Sequence, residues 1–346
     1  MLQAVSFDDV LLVPKRTFGG SRKQVDLTTY ICGRRMKVPI FSANMSSVTE
    51  AQMAVAMRRN DGLGVLHRMC SLKEQHQMVQ DVYLGVSECT VHDTPAYVSI
   101  EGTAVKALER IHSVQHLQPY GYCVDVAHAD SSDVEDTLVE IRKEFPNIPI
   151  MVGNYATPEG IENLLSCNVG DALNLSFKIG IGSGSQCTTR IVTGCGLPTL
   201  ESIFRIRNRV PKTVGLIADG GFKNSGDIVK ALAAGANAVM LGSLLAGTKE
   251  APGNVIKNSG GLYKVYRGSA SFGQKFESGK KGYIEGEETL VPYKGHLTTI
   301  LNSLVEGIKS GFSYCGALNM EEIQDNAEFV QITQHGFKES TDHGNS

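Results

Sequence analysis

The chain repeats one pattern of hydrophobic and polar positions: a short run rich in Val and Ile, a turn, and an amphipathic segment at helical spacing. The apolar runs lie at 38–43, 63–67, 96–100, 122–126, 148–152, 173–179, 214–218 and 238–242. Apolar strands that alternate with helices predict a parallel sheet covered on both faces, and eight such units are the number in a closed (β/α)8 TIM barrel. A doubly wound open sheet is the structural alternative.

Polar and glycine positions favour the barrel, because they follow the predicted strands at their carboxyl ends, where the active sites of barrels lie. These positions are Asn44, His67, Asp125, Asn154, the loop 180–189, Asp219 with Gly220 and Gly221, and Gly242 with Ser243. We therefore predict one catalytic barrel domain over residues 1–346.

Segments outside the repeat predict three additions to the barrel. Residues 4–17 mix apolar and charged positions and are typical of an extended segment over the bottom or side of the barrel. Residues 259–295 are rich in Gly, Lys, Glu and Ser and predict a long flexible flap that leaves from the catalytic face after strand eight. After a last helix over 297–314 and a strand in NAEFVQIT, the polar residues 337–346 predict a mobile tail.

Composition narrows the expected partners to a small molecule. The net charge is −3, which gives no sign of a surface for nucleic acid or for an acidic membrane. No apolar run is long enough to span a bilayer, and the amino terminus lacks the pattern of a signal peptide. The eight cysteines form no CxxC pair, so we expect free thiols in the cytoplasm and no structural zinc site.

The segment KIGIGSGSQCTTRIVTGCGLP at 178–198 carries the strongest chemical signal. Glycines let a loop bring main-chain groups close to a ligand, and this loop presents Cys187 at its end. A cysteine in that setting is a candidate nucleophile. The alternative is a flexible loop around a buried cysteine that only packs, and the segment alone leaves both open.

Two more glycine-rich turns, ADGG at 218–221 and LGSLLAG at 241–247, follow the last two predicted strands. In barrels these loops commonly bind phosphate through backbone amides. The candidate phosphate-binding residues are Ser185, Gly221, Gly242 and Ser243. The alternative is that the glycines only make tight turns.

Three acidic residues each have a chemical and a structural interpretation. Asp219 could hold a ribose hydroxyl, and Asp125, close to His128, could contact a cofactor, but either carboxylate could instead cap the following helix. Glu285 in the flap could move protons through the hydroxyl of Thr189, or it could be a solvated charge.

The sequences GSGSQCTTR, ADGG, LGSLLAGT, YRGSAS and SFDDVLLVPK resemble the family of inosine monophosphate dehydrogenases and guanosine monophosphate reductases, and the resemblance runs nearly end to end. It implies a (β/α)8 barrel, usually a homotetramer, in which Cys187 attacks carbon 2 of a purine nucleotide. It also implies a monovalent cation, such as potassium, bound by the carbonyls of Gly182, Gly184 and Cys187. The residues implied for binding the nucleotide are Ser185, Asp219, Gly220, Gly221, Gly242, Ser243, Tyr266, Gly268 and Ser269.

Two features favour the reductase branch of this family. Dehydrogenases generally carry a regulatory pair of CBS modules after the second strand, but here only residues 68–124 separate His67 from Asp125. Dehydrogenases also place an Arg-Tyr pair in the flap to activate water, and no Arg-Tyr occurs between 268 and 295. The resemblance then implies NADPH-dependent reductive deamination of GMP to IMP and ammonia. Its catalytic residues would be Cys187, Thr189 and Glu285, with the cofactor near Asp125, His128, Ser131 and Asn154.

The chain also departs from the family pattern. Ser183 replaces the usual proline, Ala129 replaces a usual glycine, the segment 267–271 lacks the usual methionine, and 166–178 is longer. A modified purine nucleotide is therefore an alternative substrate. A second alternative is an IMP dehydrogenase without regulatory modules, which would oxidise IMP to XMP with NAD and activate water through, for example, Lys280 or Lys281. A third is a nucleotide-binding regulator without turnover.

Overall fold

A closed ring of eight parallel strands forms the centre of the protein, whose computed structural model describes residues 3–17, 22–86, 94–167, 169, 172–268 and 288–340. The strands are β1 Ile40–Ser42, β2 Leu63–Leu66, β3 Thr94–Ile100, β4 Pro119–Asp125, β5 Ile150–Tyr155, β6 Leu175–Ile179, β7 Gly215–Asp219 and β8 Ala238–Leu241. Each strand pairs in parallel with the next, and β8 pairs with β1 through Val239 beside Ile40. The predicted (β/α)8 TIM barrel is confirmed, because the eight apolar runs form these eight strands.

Helices follow the strands and cover the outside of the ring. They are α1 Ala51–Arg59, α2 Leu72–Gly85, α3 Ala104–Val114, α4 Ser132–Glu144, α5 Pro158–Ser166, α6 Thr189–Thr193, α7 Thr199–Arg207, α8 Ser225–Ala233, α9 Leu297–Tyr314, α10 Met320–Asn326 and α11 Gln334–Lys338. Local sequence sets where a helix begins. Ser71 opens α2 with a capping box, in which its hydroxyl accepts from the Glu74 amide and its own amide donates to the Glu74 carboxylate.

The two carboxyl-terminal expectations have different outcomes. Helix α9 covers 297–314 as predicted and completes the eighth strand–helix unit. Helix α11 includes the first two residues of the expected tail, residues 341–346 lie outside the described part, and the mobile tail stays a prediction. Among the residues that the structure describes, no helix combines the length and the apolar character needed to cross a membrane.

Two layers of apolar side chains stabilise the ring. One layer fills its interior and includes Phe41 and Tyr97. The other lies between the strands and the helices and includes Ile40 and Val98, the sequence neighbours of those two residues. Successive side chains of a strand point to opposite faces, so a strand that is buried on both faces needs an unbroken apolar run. This is why the eight runs show little alternation of polar and apolar positions.

The amino-terminal part covers one end and one side of the barrel. A hairpin of Thr29–Ile31 and Arg34–Met36 closes the amino-terminal end of the ring, and the sequence did not predict it. Residues 4–17 lie along the side, where Val10–Leu12 pairs antiparallel with Phe329–Gln331. Of the two expected positions for this segment, bottom and side, the structure shows the side.

The expected flap begins and ends in a three-stranded antiparallel sheet of Ile256–Asn258, Gly261–Arg267 and Glu288–Pro292. Strands therefore occupy both ends of the expected flap at 259–295, residues 269–287 lie outside the described part, and the flexible flap stays a prediction. The alternation in LYKVY contains the missed signal, since alternate side chains of a strand point to opposite faces.

Candidate active site

A cavity of about 300 Å³ opens at the carboxyl ends of the barrel strands. Pockets for small molecules have volumes of about 300–1,000 Å³, so the cavity can hold much of a nucleotide-sized ligand. The predicted site residues in its wall are Asp125, Asn154, Gly182, Gly184, Ser185, Cys187, Thr189, Asp219, Gly220, Gly221, Gly242, Ser243, Tyr266 and Gly268. Ser269 and Glu285 lie outside the described residues.

Cys187 stands at the rim of this cavity with a hydroxyl group beside it. Its thiol donates to the hydroxyl of Thr189 over 3.1 Å, and Thr189 is the first residue of α6. The Cys187 amide donates to the Gly184 carbonyl over 2.9 Å, which closes the turn that presents the thiol. Because the thiol is only half-buried and lines the cavity, its surroundings favour a nucleophile over a packing residue.

The cysteine loop packs directly on the end of β7. Gly180 has φ +147°, and a Cβ there would lie 2.2 Å from the Asp219 carbonyl oxygen, so only glycine fits. Ser183 donates its hydroxyl to the same carbonyl over 3.2 Å. The serine thus anchors the loop to the neighbouring strand end.

The predicted phosphate residues come together on another wall. A Cβ on Gly242 would lie 2.7 Å from the Tyr266 hydroxyl, so glycine permits the close approach of the two segments. Tyr266 is only 3% exposed, and burial raises the pKa of its phenol, while a hydrogen bond with Ser185 opposes that rise. Hydroxyl groups of Tyr266 and Ser185 therefore lie beside the turn of Gly242 and Ser243, which supplies backbone amides.

Lys294 supports this turn from behind, and the sequence alone did not identify it. Its ammonium group donates to the carbonyls of Ser243 over 2.6 Å and Leu244 over 3.1 Å. Burial lowers the pKa of Lys294. By holding two carbonyls on one side of the turn, Lys294 fixes the direction of the main chain that faces the cavity.

A buried lysine, Lys178 on β6, lies in the floor of the cavity and was also missed. Its ammonium group is 3.3 Å from Asp125 Oδ1 and 3.2 Å from Asp219 Oδ2. Burial alone would lower the pKa of Lys178, but the carboxylates of Asp219 and Asp125 raise it well above its usual range. Burial alone would raise the pKa of Asp125, but Lys178 and then Arg68 lower it. The floor therefore contains ionised groups of both signs.

Asn154 belongs to the same network. Its side-chain amide donates to the Gly180 carbonyl over 2.7 Å and to Asp219 Oδ2 over 2.9 Å. Sequence reasoning assigned Asn154 to the cofactor, whereas the structure gives it two internal partners that join the ends of β5, β6 and β7.

The remaining predicted cofactor residues are only partly brought together. Asp125 lines the cavity, but His128 is exposed outside its wall, and Ser131 lies outside the wall at the start of α4. His128 and Ser131 follow β4 in the chain, but the loop carries them away from the cavity.

The expected ligands of the predicted cation site are main-chain carbonyls, so no side chain is expected among its ligands. Of these, the Gly184 carbonyl accepts the hydrogen bond from the Cys187 amide. The described residues contain no group of three or more His, Cys, Asp or Glu side chains placed to hold a metal ion. Potassium binding by Gly182, Gly184 and Cys187 stays a prediction.

The family to which this chain is similar agrees with the barrel fold. A family model described as the IMP dehydrogenase / GMP reductase domain matches residues 4–343. The inosine-5'-monophosphate dehydrogenase of Nitrosopumilus maritimus is 32% identical over an alignment 474 positions long, which covers 99% of this chain and 98% of that protein. That of Aquifex aeolicus is 32% identical, with 99% of this chain and 95% of that protein covered. That of Chlorobaculum parvum is 43% identical over 235 residues, 64% of this chain and 47% of that protein. The chain belongs to the IMP dehydrogenase / GMP reductase domain family, a family of purine-nucleotide oxidoreductases.

Proposed function

We propose that this protein is an oxidoreductase in which Cys187 adds to carbon 2 of a purine nucleotide and a nicotinamide cofactor exchanges hydride at that carbon. The observation that carries the proposal is the Cys187 thiol, 3.1 Å from the Thr189 hydroxyl at the rim of the cavity. Nucleophile and proton-transfer group lie within hydrogen-bond reach of each other, as covalent catalysis requires.

The wall of the cavity supports a nucleotide as the substrate. Backbone amides at Gly242 and Ser243, with the hydroxyls of Ser185 and Tyr266, suit a phosphate group. The carboxylate of Asp219 suits ribose hydroxyls, because it accepts hydrogen bonds. A nucleotide held in this way has its base on the side of the cysteine loop, which packs on the end of β7.

The cofactor proposal depends on the other side of the cavity, where Arg68, Asp125 and Ala127 form the wall. A carboxylate and a guanidinium group at an open wall fit the hydroxyl and phosphate groups of a dinucleotide. When bound, a nicotinamide cofactor would supply or remove hydride at carbon 2. Cys187 forms and breaks the bond to that carbon, and Thr189 passes a proton to or from the leaving group.

The named relatives favour oxidation of IMP to XMP with NAD as the direction, because all three are named inosine-5'-monophosphate dehydrogenase. They give no specific support to the GMP reductase that the sequence motifs favour. In the oxidative direction the adduct at Cys187 loses hydride, and water then displaces the thiol to give XMP. Activation of that water would fall to a residue of the segment outside the described part, for example Lys280 or Lys281.

GMP reductase is the second candidate, and the absence of an Arg-Tyr pair between 268 and 295 favours it. In this direction the Cys187 adduct of GMP first loses ammonia, with Thr189 and Glu285 as the proton path. Hydride from NADPH then adds to carbon 2, and the thiol leaves to give IMP. The overall change consumes GMP, NADPH and two protons and yields IMP, NADP and ammonium.

We also propose a domain organisation for the chain. The 474-residue alignment with the Nitrosopumilus relative, against 346 residues here, supports a catalytic barrel without a regulatory CBS insertion. A cytoplasmic homotetramer that uses potassium stays a prediction from the family resemblance. A modified purine nucleotide stays an alternative substrate.

Absorbance of the reduced nicotinamide tests the two directions in parallel. One cuvette contains GMP and NADPH, the other IMP and NAD, both with potassium. Loss of absorbance in the first supports the reductase, and a rise in the second supports the dehydrogenase. The Cys187→Ala variant should abolish either signal while still binding the nucleotide. No signal in either cuvette would contradict the proposal for these substrates, and nucleotide binding without turnover would then favour the regulator.

A further inference from the structure

Lys178 is a buried cation between two carboxylates, and an apolar or neutral residue in its place would remove the positive charge that the two carboxylates share. It is 2% exposed, on the strand between the one that ends in Asp219 and the one that contains Asn154. Its ammonium group forms ion pairs with two carboxylates, those of Asp125 and Asp219. Within the described residues, no other acidic side chain pairs with it. Without the lysine, the floor would contain two anions against the single guanidinium group of Arg68.

The two carboxylates next to Lys178 differ in the partners that they keep when Lys178 is removed. Arg68 lies 3.5 Å from Asp125 Oδ2 and donates to the Asp125 carbonyl, so Asp125 keeps a cation when Lys178 is removed. Among the described residues, Asp219 then keeps the neutral side-chain amide of Asn154 as its hydrogen-bond partner. The Asp219 side chain is half-buried, and a half-buried anion that loses its neighbouring cation is less firmly held and can turn towards water. Asp219 is therefore the carboxylate that depends more on Lys178.

The two carboxylates also face different parts of the cavity. Asp219 precedes Gly220 and Gly221, next to the cysteine loop, and Asp125 precedes the loop of Ala127 on the opposite wall. One ammonium group thus touches the proposed nucleotide side and the proposed cofactor side. The contacts with Asn44 (3.3 Å) and both carboxylates fix its position.

We propose that Lys178 is a positioning residue that couples the nucleotide subsite at Asp219 to the cofactor subsite at Asp125. The inference rests on the proposed function, because it assigns a ligand to each carboxylate. A nucleotide whose ribose hydroxyls bind Asp219 restrains that side chain and the ammonium group next to it. Asp125 is then held in place before the cofactor arrives, so the second ligand meets less ordering cost and binds more tightly.

The test measures binding without turnover, in the full chain with Cys187→Ala. Calorimetry gives the Kd of IMP and of GMP alone, and the Kd of NAD and of NADPH with and without saturating nucleotide. We expect the cofactor to bind more tightly when nucleotide is present. Adding Lys178→Gln should raise the nucleotide Kd about tenfold, or about 1.4 kcal/mol, and bring the ratio of the two cofactor Kd values close to one.

Arg142→Gln is the matched control. Arg142 is also a buried cation, 6% exposed, but it donates to carbonyls such as those of Val169 and Ile148, near the opposite end of the ring. Its loss should lower the urea midpoint of unfolding and leave both the nucleotide Kd and the cofactor ratio unchanged. A role of Lys178 in stability alone would give the same result for Lys178→Gln.

The following outcomes decide the inference. Parental Kd values and an unchanged cofactor ratio in folded Lys178→Gln overturn it, and so does a parent whose ratio is already one. A parent that binds neither nucleotide nor cofactor overturns the proposed function as well, which separates the two failures. If Lys178→Gln does not fold, the double variant Lys178→Gln with Asp125→Asn restores the charge balance with Arg68. A nucleotide Kd about tenfold higher in that double variant than in Asp125→Asn alone supports the inference, and equal Kd values in the two variants overturn it.

Discussion

Replacing Asn154 by alanine should weaken both the fold and the nucleotide site. This side chain donates to the Gly180 carbonyl over 2.7 Å and to Asp219 Oδ2 over 2.9 Å. A hydrogen bond between neutral groups contributes about 1 kcal/mol to stability, and one to an ionised group about 1.5–3 kcal/mol. The two bonds together amount to about 2.5–4 kcal/mol, and Asp219 retains Lys178 as a partner. We therefore expect the free energy of unfolding to fall by about 2–4 kcal/mol.

Urea unfolding followed by circular dichroism measures this loss, and calorimetry with IMP and GMP measures the effect on the site. The nucleotide Kd should rise in Asn154→Ala, because Asp219 is less firmly oriented. Asn208→Ala is the control: its side chain is exposed at the end of α7, and its free energy of unfolding should change by less than about 0.5 kcal/mol.

A second substitution tests the electrostatic part of the reasoning. Asn154→Asp would bring a carboxylate next to Asp219, and two adjacent carboxylates repel each other when both are ionised. One of them must then have a raised pKa, so the variant should recover stability as the pH falls and the pair takes up a proton. A loss below about 0.5 kcal/mol in Asn154→Ala, with an unchanged nucleotide Kd, would refute the role given to this residue.

Three further predictions concern the site. Gly194→Ala should lower the free energy of unfolding by only about 1–2 kcal/mol, since φ is +71° with open space around it. Gly180→Ala should lower it by more than about 4 kcal/mol or prevent folding, since the added Cβ would meet the Asp219 carbonyl. The urea midpoints of the two variants compare these losses. The pKa of Asp125 is lowered in the folded protein, so its stabilising effect is present above its ordinary pKa of about 3.9 and is lost as the pH falls through the folded value. Asp125→Asn should therefore be less stable than the parent at pH 6, and urea midpoints should converge below pH 4; a constant difference would contradict this. Lys294→Met should raise the Kd of IMP about tenfold and leave that of inosine nearly unchanged, because Lys294 holds the turn expected to bind phosphate. Calorimetry measures both Kd values, and an equal loss of affinity for the two ligands would contradict the phosphate assignment.

The fold could be predicted because each strand carries its own signal. A run such as VPIFSA or AVMLG is apolar on both faces, and a strand in a closed parallel barrel needs that. The cavity followed from the same reasoning, since Asp219 and Gly242 come directly after strands whose carboxyl ends meet. These inferences need only the order of residues within one unit.

What could not be predicted depends on contacts between distant units. Lys178 stands inside an apolar run, and its partner Asp125 lies on another strand, so no local pattern identifies the pair. Lys294 contacts a turn far from it in the chain. The cofactor role of Asn154 stays a prediction, and its bond to Asp219 could not be foreseen, because the length of a side chain does not show which neighbour it meets. His128 lies outside the cavity wall, which the sequence could not show because the path of a loop after a strand is not fixed by the strand, and its contact with a cofactor stays a prediction.

The pairing of β8 with β1, through Val239 and Ile40, has a consequence for how the protein matures. These strands are far apart in the chain, so closing the ring carries a large entropic cost and comes late in folding. Until then β1 and β8 each present an unpaired edge, which invites association with other chains. The cavity needs loops from β1, β7 and β8 together, so a ligand can bind only after the ring is complete. Ligand in the cell would then bind and stabilise only the completed barrel, and by mass action it would lower the fraction of incomplete chains that can aggregate.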